Sequence, residues 1–208
     1  MRTIQTIAYQ YAELSPDAQA KARDWYRRIS DGDTFFAETV TEEFLAALRA
    51  LGFNTTSKQI GWSGFYSQGD GAGFAGNWSA EGCNPGALLA DRPVSYMDAT
   101  GTAQTCPTNV RLHEACAPFV ALASKYPYAC GETSHGRGYY QRADFDANDG
   151  DGEPDDTLTE EFREACAGLA DYLYRTLEAE YEYQNSDEQV ADMLVANEYE
   201  FTESGECI

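Results

Sequence analysis

Phe162, Cys166, Leu169, Leu173, Leu177 and Tyr181 follow one another at spacings of three and four residues. That period obliges the segment to form a long amphipathic helix with one side turned to a core. Thr159 is the expected N-cap, and the helix should run from Glu160 to about Tyr183. Its remaining surface is acidic. Glu160, Glu164, Asp171, Glu178 and Glu182 fall largely off the apolar stripe, and Glu180, Asp187, Glu188 and Asp192 extend the charge.

The charge is local. Residues 144–208 hold 21 Asp and Glu against only Arg163 and Arg175, a balance of −19. Residues 1–143 hold 14 acids and 12 bases, a balance of −2. Uncompensated charges crowded into 65 residues repel one another and oppose the compact state, which favours a functional use for them. Acids along a rod imitate a phosphate row, and a protein that grips nucleic acid through Lys and Arg would gain counterion release on meeting them. The same charge argues against direct nucleic-acid binding and against an anionic membrane. The bland alternative is an ordinary solvated face.

Apolar residues make up 43% of the chain and aromatics 13%, enough to bury a core. No apolar run reaches the length of a membrane span. The start, Met1-Arg-Thr-Ile-Gln-Thr-Ile-Ala8, lacks the layout of a signal peptide, so a cytoplasmic address is expected. Six scattered cysteines without C-x-x-C spacing read as reduced thiols, and neither a metal nor a cofactor is expected.

Residues 2–12 read as a strand. Ser15-Pro16-Asp17 opens a helix to about Arg28, with Ala18, Ala22, Trp25, Tyr26 and Ile29 on one face. Thr41-Glu-Glu opens a second, which Gly52 ends. Lys58–Ala80 reads as a strand pair about a Gly-Asp-Gly turn. Residues 81–109 read as a long loop or insertion, Asn109–Lys125 as a third helix, 127–145 as strand and Asp146–Asp156 as a polar linker. Asn185-Ser186 restarts a short helix, and Tyr199–Glu203 closes as a strand. Helices and strands are mixed rather than alternating. The expected class is α+β in a single domain over 1–208: an antiparallel sheet, helices packed mainly on one face, and 144–208 as an acidic helical part.

Trp62-Ser-Gly-Phe-Tyr-Ser-Gln-Gly-Asp-Gly-Ala-Gly-Phe74 resembles a motif, W-S-G-F-x-S-Q-G-D-G-A-x-F, of a loosely defined group of small phage and prophage proteins, some of them labelled antitoxin. The resemblance extends to His135-Gly-Arg-Gly-Tyr-Tyr140, Leu177–Tyr183 and Asn197–Thr202. It implies an origin in a bacteriophage or mobile element and supplies no catalytic residue.

Two local constellations can be weighed for chemistry. Trp62, Ser67, Gln68 and Asp70 in the hairpin, with His135 and Arg137, have the residue types of an acid–base or anion site, and a Ser67–His135–Asp70 triad is formally available. Neither a nucleophile elbow nor a phosphate loop is present. The alternative is a tight turn, with Gly69 and Gly71 at positive φ and Asp70 bonding its own backbone. Asp144–Asp156 invites a calcium reading, but no register places the six oxygen positions and the central glycine of an EF-hand.

The leading expectation is therefore non-enzymatic. It is a phage-derived inhibitor, of anti-CRISPR or antirestriction type, that blocks a basic nucleic-acid-binding protein in the host bacterial cytoplasm, by occlusion or DNA mimicry. The expected contacts are Asp149, Asp151, Glu153, Glu160, Glu164, Asp171, Glu178, Glu182, Asp187 and Glu188. An antitoxin-like neutraliser of one toxin and a small enzyme built on Ser67, Asp70, His135 and Arg137 are the rivals.

Overall fold

The computed structural model describes residues 7–84, 94–97, 103–106, 110–135, 147–150 and 152–208. The fold is α+β. Five α-helices lie among the described residues: α1 (Pro16–Ile29), α2 (Phe35–Ala50), α3 (Val110–Lys125), α4 (Asp156–Gln184) and α5 (Asp187–Ala196). The strands are β1 (Tyr9–Gln10), β2 (Phe53–Asn54), β3 (Ile60–Ser63), β4 (Gly71–Phe74), β5 (Gly76–Ser79), β6 (Val94–Met97), β7 (Ala103–Cys106), β8 (Cys130–Thr133), β9 (Ala147–Asn148) and β10 (Glu200–Phe201). Every described pairing is antiparallel: β1 with β10, β3 with β4, β6 with β7, and a four-stranded sheet in the order β2-β5-β8-β9.

The chain divides into two compact units, Glu38–Glu178 and the combined termini Met1–Ala37 with Ala179–Ile208. In the central unit the sheet has one covered and one open face. Phe53, Trp78, Gly131 and Ala147 stand in one cross-strand row, and Phe53, Trp78 and Ala147 are buried. The next row out, Asn54, Asn77 and Glu132, is exposed. Phe162 of α4 packs on the covered row, its ring 5.1 Å from Trp78 and 5.8 Å from Phe119. Helix-covered inside and polar outside is the one-faced arrangement the sequence predicts. The α4 stripe is buried as its spacing requires, with Phe162, Cys166, Leu169, Leu173 and Leu177 all closed to solvent.

The terminal unit has its own core. Tyr11, Leu14, Ala18, Ala22, Val190, Leu194 and Phe201 cluster, with Trp25 and Tyr26 packed against them. Ser15 caps α1 and Ser186 caps α5 through their hydroxyls, as their positions predict. Ile29, placed on the inner face by periodicity, is exposed in the last turn of α1. Asp187 links α5 to α1 by ion pairs to Arg27 (2.6 Å) and Arg23 (3.1 Å). The hydrogen bond from Arg27, with the Arg23 charge behind it, holds the Asp187 carboxyl below its ordinary 3.8. A lowered folded value means stability that is present above the ordinary carboxylate range and lost as pH falls through the lowered one. Asp187→Asn is therefore expected to melt below the wild type at pH 7, and the gap should narrow at an acid pH below the ordinary carboxylate range. Thermal melts at the two pH values check this, and a gap that persists in acid contradicts it.

Several boundaries differ from the sequence expectation. Of the strand expected over 2–12, residues 2–6 lie outside the described residues; within the described part the strand is Tyr9–Gln10, followed by a 3-10 turn at Tyr11–Glu13. α2 starts at Phe35 rather than Thr41, because Asp33 accepts the Phe35 N–H at 2.9 Å and caps it. α4 starts at Asp156 rather than Glu160. Asp155 is its cap, accepting the Leu158 N–H at 2.7 Å. Thr159 instead exchanges hydrogen bonds with the Ala147 backbone, 3.3 and 3.4 Å. Within 81–109, expected as loop, β6 and β7 form a hairpin in the register Val94↔Cys106.

Candidate functional site

The motif hairpin has β3 and β4 for its arms, in the register Ile60↔Phe74 to Ser63↔Gly71. Residues 64–70 connect them, a wider loop than a two-residue turn. Asp70 holds this loop from inside: it accepts the Ser67 N–H at 2.6 Å, and its own N–H donates to the Ser67 carbonyl at 3.2 Å. Gly69 takes positive φ (101°) as expected. The second such residue is Tyr66 (79°) and not Gly71. A tyrosine in that region is strained, and the residue is 71% exposed.

The loop carries an aromatic cluster. Trp62 stacks on Phe65 at 5.8 Å with 15° between planes, and Phe65 lies 6.4 Å from Tyr66. Phe65 also meets Tyr174 of α4 at 5.6 Å. That contact joins the two features the sequence picks out separately, the motif loop and the acidic helix.

On α4, Glu160, Glu164, Asp171 and Glu178 fall within about 40° of one another at ~100° per residue, so they share one side of the helix. Arg175 stands in the same row and bonds Glu178 (3.0 Å) and Asp171 (3.7 Å), while Arg163 pairs with Glu160. Glu164 makes no ion pair among the described residues. The Arg175 guanidinium also lies 5.7 Å from the Tyr174 ring centre. Burial, then the charges of Glu178 and Asp70, raises the Tyr174 hydroxyl above its ordinary range against the opposing Arg175. The surface is thus a half-buried aromatic cluster with Tyr66 exposed, beside the charges of Glu178, Asp70 and Arg175.

The remaining expected contacts are dispersed. Asp149 and Glu153 are exposed on the turn before α4, where Gly150 and Gly152 take positive φ. Glu182 and Glu188 are exposed in the terminal unit, and Asp187 is engaged by Arg23 and Arg27. Asp151 and Arg137 lie outside the described residues. Ser67 and Gln68 are exposed, and His135 is half-buried just beyond β8. The Asp70 carboxylate is occupied in shaping its own turn, which is the local reading of the Gly-Asp-Gly segment. Among the described residues no group of three or more His, Cys, Asp or Glu is arranged to hold a metal ion.

Phe65, Tyr66, Tyr174 and Arg175 are the site residues that sequence reasoning passes over. A signal existed for Tyr174: it is an aromatic on α4 at the border between the apolar stripe and the acidic row. Cys83, Cys116, Cys130, Cys166 and Cys207 are free thiols, and burial pushes Cys166 well above the usual range and Cys83 up to about 11. No helix among the described residues is long and apolar enough to cross a membrane.

The chain matches a protein family described as a domain of unknown function, DUF8835, over residues 36–187. No curated protein and no solved structure matches it. The matched span takes in the whole motif hairpin, α3 and α4, and the chain belongs to the DUF8835 family.

Proposed function

We propose that the protein is a binding protein that docks on a basic, nucleic-acid-binding protein through the β3–β4 loop and the acidic side of α4, and so blocks it. The observation that carries this reading is the Phe65–Tyr174 contact, which joins the loop that bears the exposed Tyr66 to the helix that bears the acidic row. Tyrosine and tryptophan supply most of the affinity at interfaces, while charges at the border set encounter rate and partner choice. In the phage setting that the motif resembles, the partner is a host defence or nucleic-acid enzyme in the bacterial cytoplasm, of the kind countered by anti-CRISPR and antirestriction proteins.

DNA mimicry is the narrower form of this reading. The shared side of Glu160, Glu164, Asp171 and Glu178 favours it. Arg175 interrupts the row, so the aromatic patch is taken as the centre and the acids as its border.

The experiment is affinity capture from extract of a host strain, with the wild type and with Glu164→Lys/Asp171→Lys. Both positions are exposed, so the fold should survive the change. Recovery of a basic nucleic-acid-binding protein at physiological salt, lost with the double variant, is the expected result. The reading fails if capture is indifferent to the charge reversal, or if the captured protein is neither basic nor nucleic-acid-binding.

A further inference from the structure

The terminal unit contains a cavity of about 420 Å³, within the size range that holds small ligands. Tyr26, Phe36, Tyr181 and Met193 are large apolar and aromatic groups of its wall, which also has neutral polar side chains, and Asp31 and Asp33 contribute its acids. Phe36 and Tyr181 meet edge to face at 5.6 Å. Arg27 also borders the space, but its guanidinium is committed elsewhere. Its Nε donates to the Asn185 carbonyl at 2.9 Å, Nη1 to Asp24 at 3.1 Å and Nη2 to Asp187 at 2.6 Å. Asp31 makes no ion pair among the described residues. Asp33 spends one oxygen on the α2 cap. Its field still reaches the cavity wall: after burial and Tyr199, Asp33 is the third cause that raises the Tyr26 hydroxyl.

These facts select the sign of a ligand. An anion would meet two carboxylates and find the nearby arginine already neutralised. A neutral apolar group would leave Asp31 and Asp33 with nothing to bind. A cation on a short apolar stem meets aromatic walls and carboxylates together, the combination that recognises ammonium groups. We propose that this cavity binds an alkylammonium group, borne either by a free amine or by a lysine side chain of a partner. Of its lining, Tyr26, Asp31, Asp33 and Met193 lie outside the residues of the family match, and Tyr181 and Gln184 belong to the last turns of α4.

Calorimetry on the full chain tests it, at fixed ionic strength, with three probes: n-butylammonium, N-acetyl-lysine amide and the uncharged Nε-acetylated form of the latter. Saturable binding of the two cations and none of the acetylated probe is expected. Met193→Trp, a change at a partly exposed wall residue, should fill the space and abolish binding while the melting temperature holds. Asp31→Asn should weaken binding about fivefold, the scale of a single exposed charge pair. Glu203→Gln, an exposed acid outside the cavity, should leave it unchanged and so exclude general attraction to an acidic chain. Tighter binding of lysine amide assigns the site to a partner side chain, and equal or tighter binding of butylammonium assigns it to a free amine. Non-saturable binding, equal binding of the acetylated probe, or full binding by Met193→Trp overturns the proposal.

Discussion

Phe162→Ala is expected to destabilise the central unit by about 3–5 kcal/mol, the usual cost of emptying a buried aromatic site. That is a large part of the 5–15 kcal/mol that holds a typical domain together. The side chain is closed to solvent and contacts Trp78, Phe119 and Phe53, the last at a ring separation of 6.3 Å. It also occupies the place where a side chain at Gly131 would go: a Cβ there would stand 2.9 Å from the Phe162 ring. Gly131→Ala should therefore destabilise the wild type as well. Combined with Phe162→Ala, the new methyl enters vacated space, and the double variant should be more stable than the sum of the single losses predicts. Denaturant unfolding of the four proteins checks this. Trp78 is the natural probe, since it is 1% exposed and donates Nε1–H to the Leu51 carbonyl at 2.8 Å. Strict additivity would mean that Gly131 and Phe162 do not share the space.

Tyr66→Gly is expected to move stability and affinity in opposite directions. A non-glycine residue at φ 79° carries a backbone penalty of about 1 kcal/mol, which glycine removes. The fold should become as stable as the wild type or more so. Removing an exposed tyrosine from the centre of a recognition patch costs about 2 kcal/mol or more in binding, roughly 30-fold in Kd. The pair of measurements, a melt and a titration with the captured partner, separates a binding role from a packing role. If stability falls and affinity holds, the ring serves Phe65 and Trp62 rather than a partner.

The helices were legible where their burial pattern is long. The α4 stripe repeats over five turns, and no strand alternation fits it, so periodicity alone fixes which side is buried. Helix starts were harder to place because the sequence offers several acceptable caps. Thr159 and Asp155 are a turn apart, and the tertiary position of Ala147, which engages Thr159, decides between them. Thr41 lost to Asp33 for a related reason: within α2 its hydroxyl donates back to the Glu38 carbonyl, a bond that a helix interior tolerates. The β6–β7 hairpin was hidden by the Gly, Pro and Asn spread through 81–109, although Val94-Ser-Tyr-Met97 carries β-prone side chains. The site was legible only in halves. Each half has a local signature, glycines and aromatics in the loop, acids on the helix. The contact that joins them connects Phe65 to Tyr174, and no local pattern encodes it. The Asp187 ion pairs with Arg23 and Arg27 escape sequence reading for the same reason.

The edge strand β2 limits how a partner can attach. It offers only Phe53 and Asn54, with Gly52 at φ 94° on one side. On the other, Thr55 turns away by donating its hydroxyl to the Ala75 carbonyl at 2.6 Å. A guest strand laid along this margin would find two residues of backbone to zip to, too few to hold it. Recognition by strand addition is thereby closed at this margin, as is growth of the sheet from it into fibrils. What attaches at this margin must do so by matching side chains, which makes binding there a matter of surface chemistry that point substitutions can dissect.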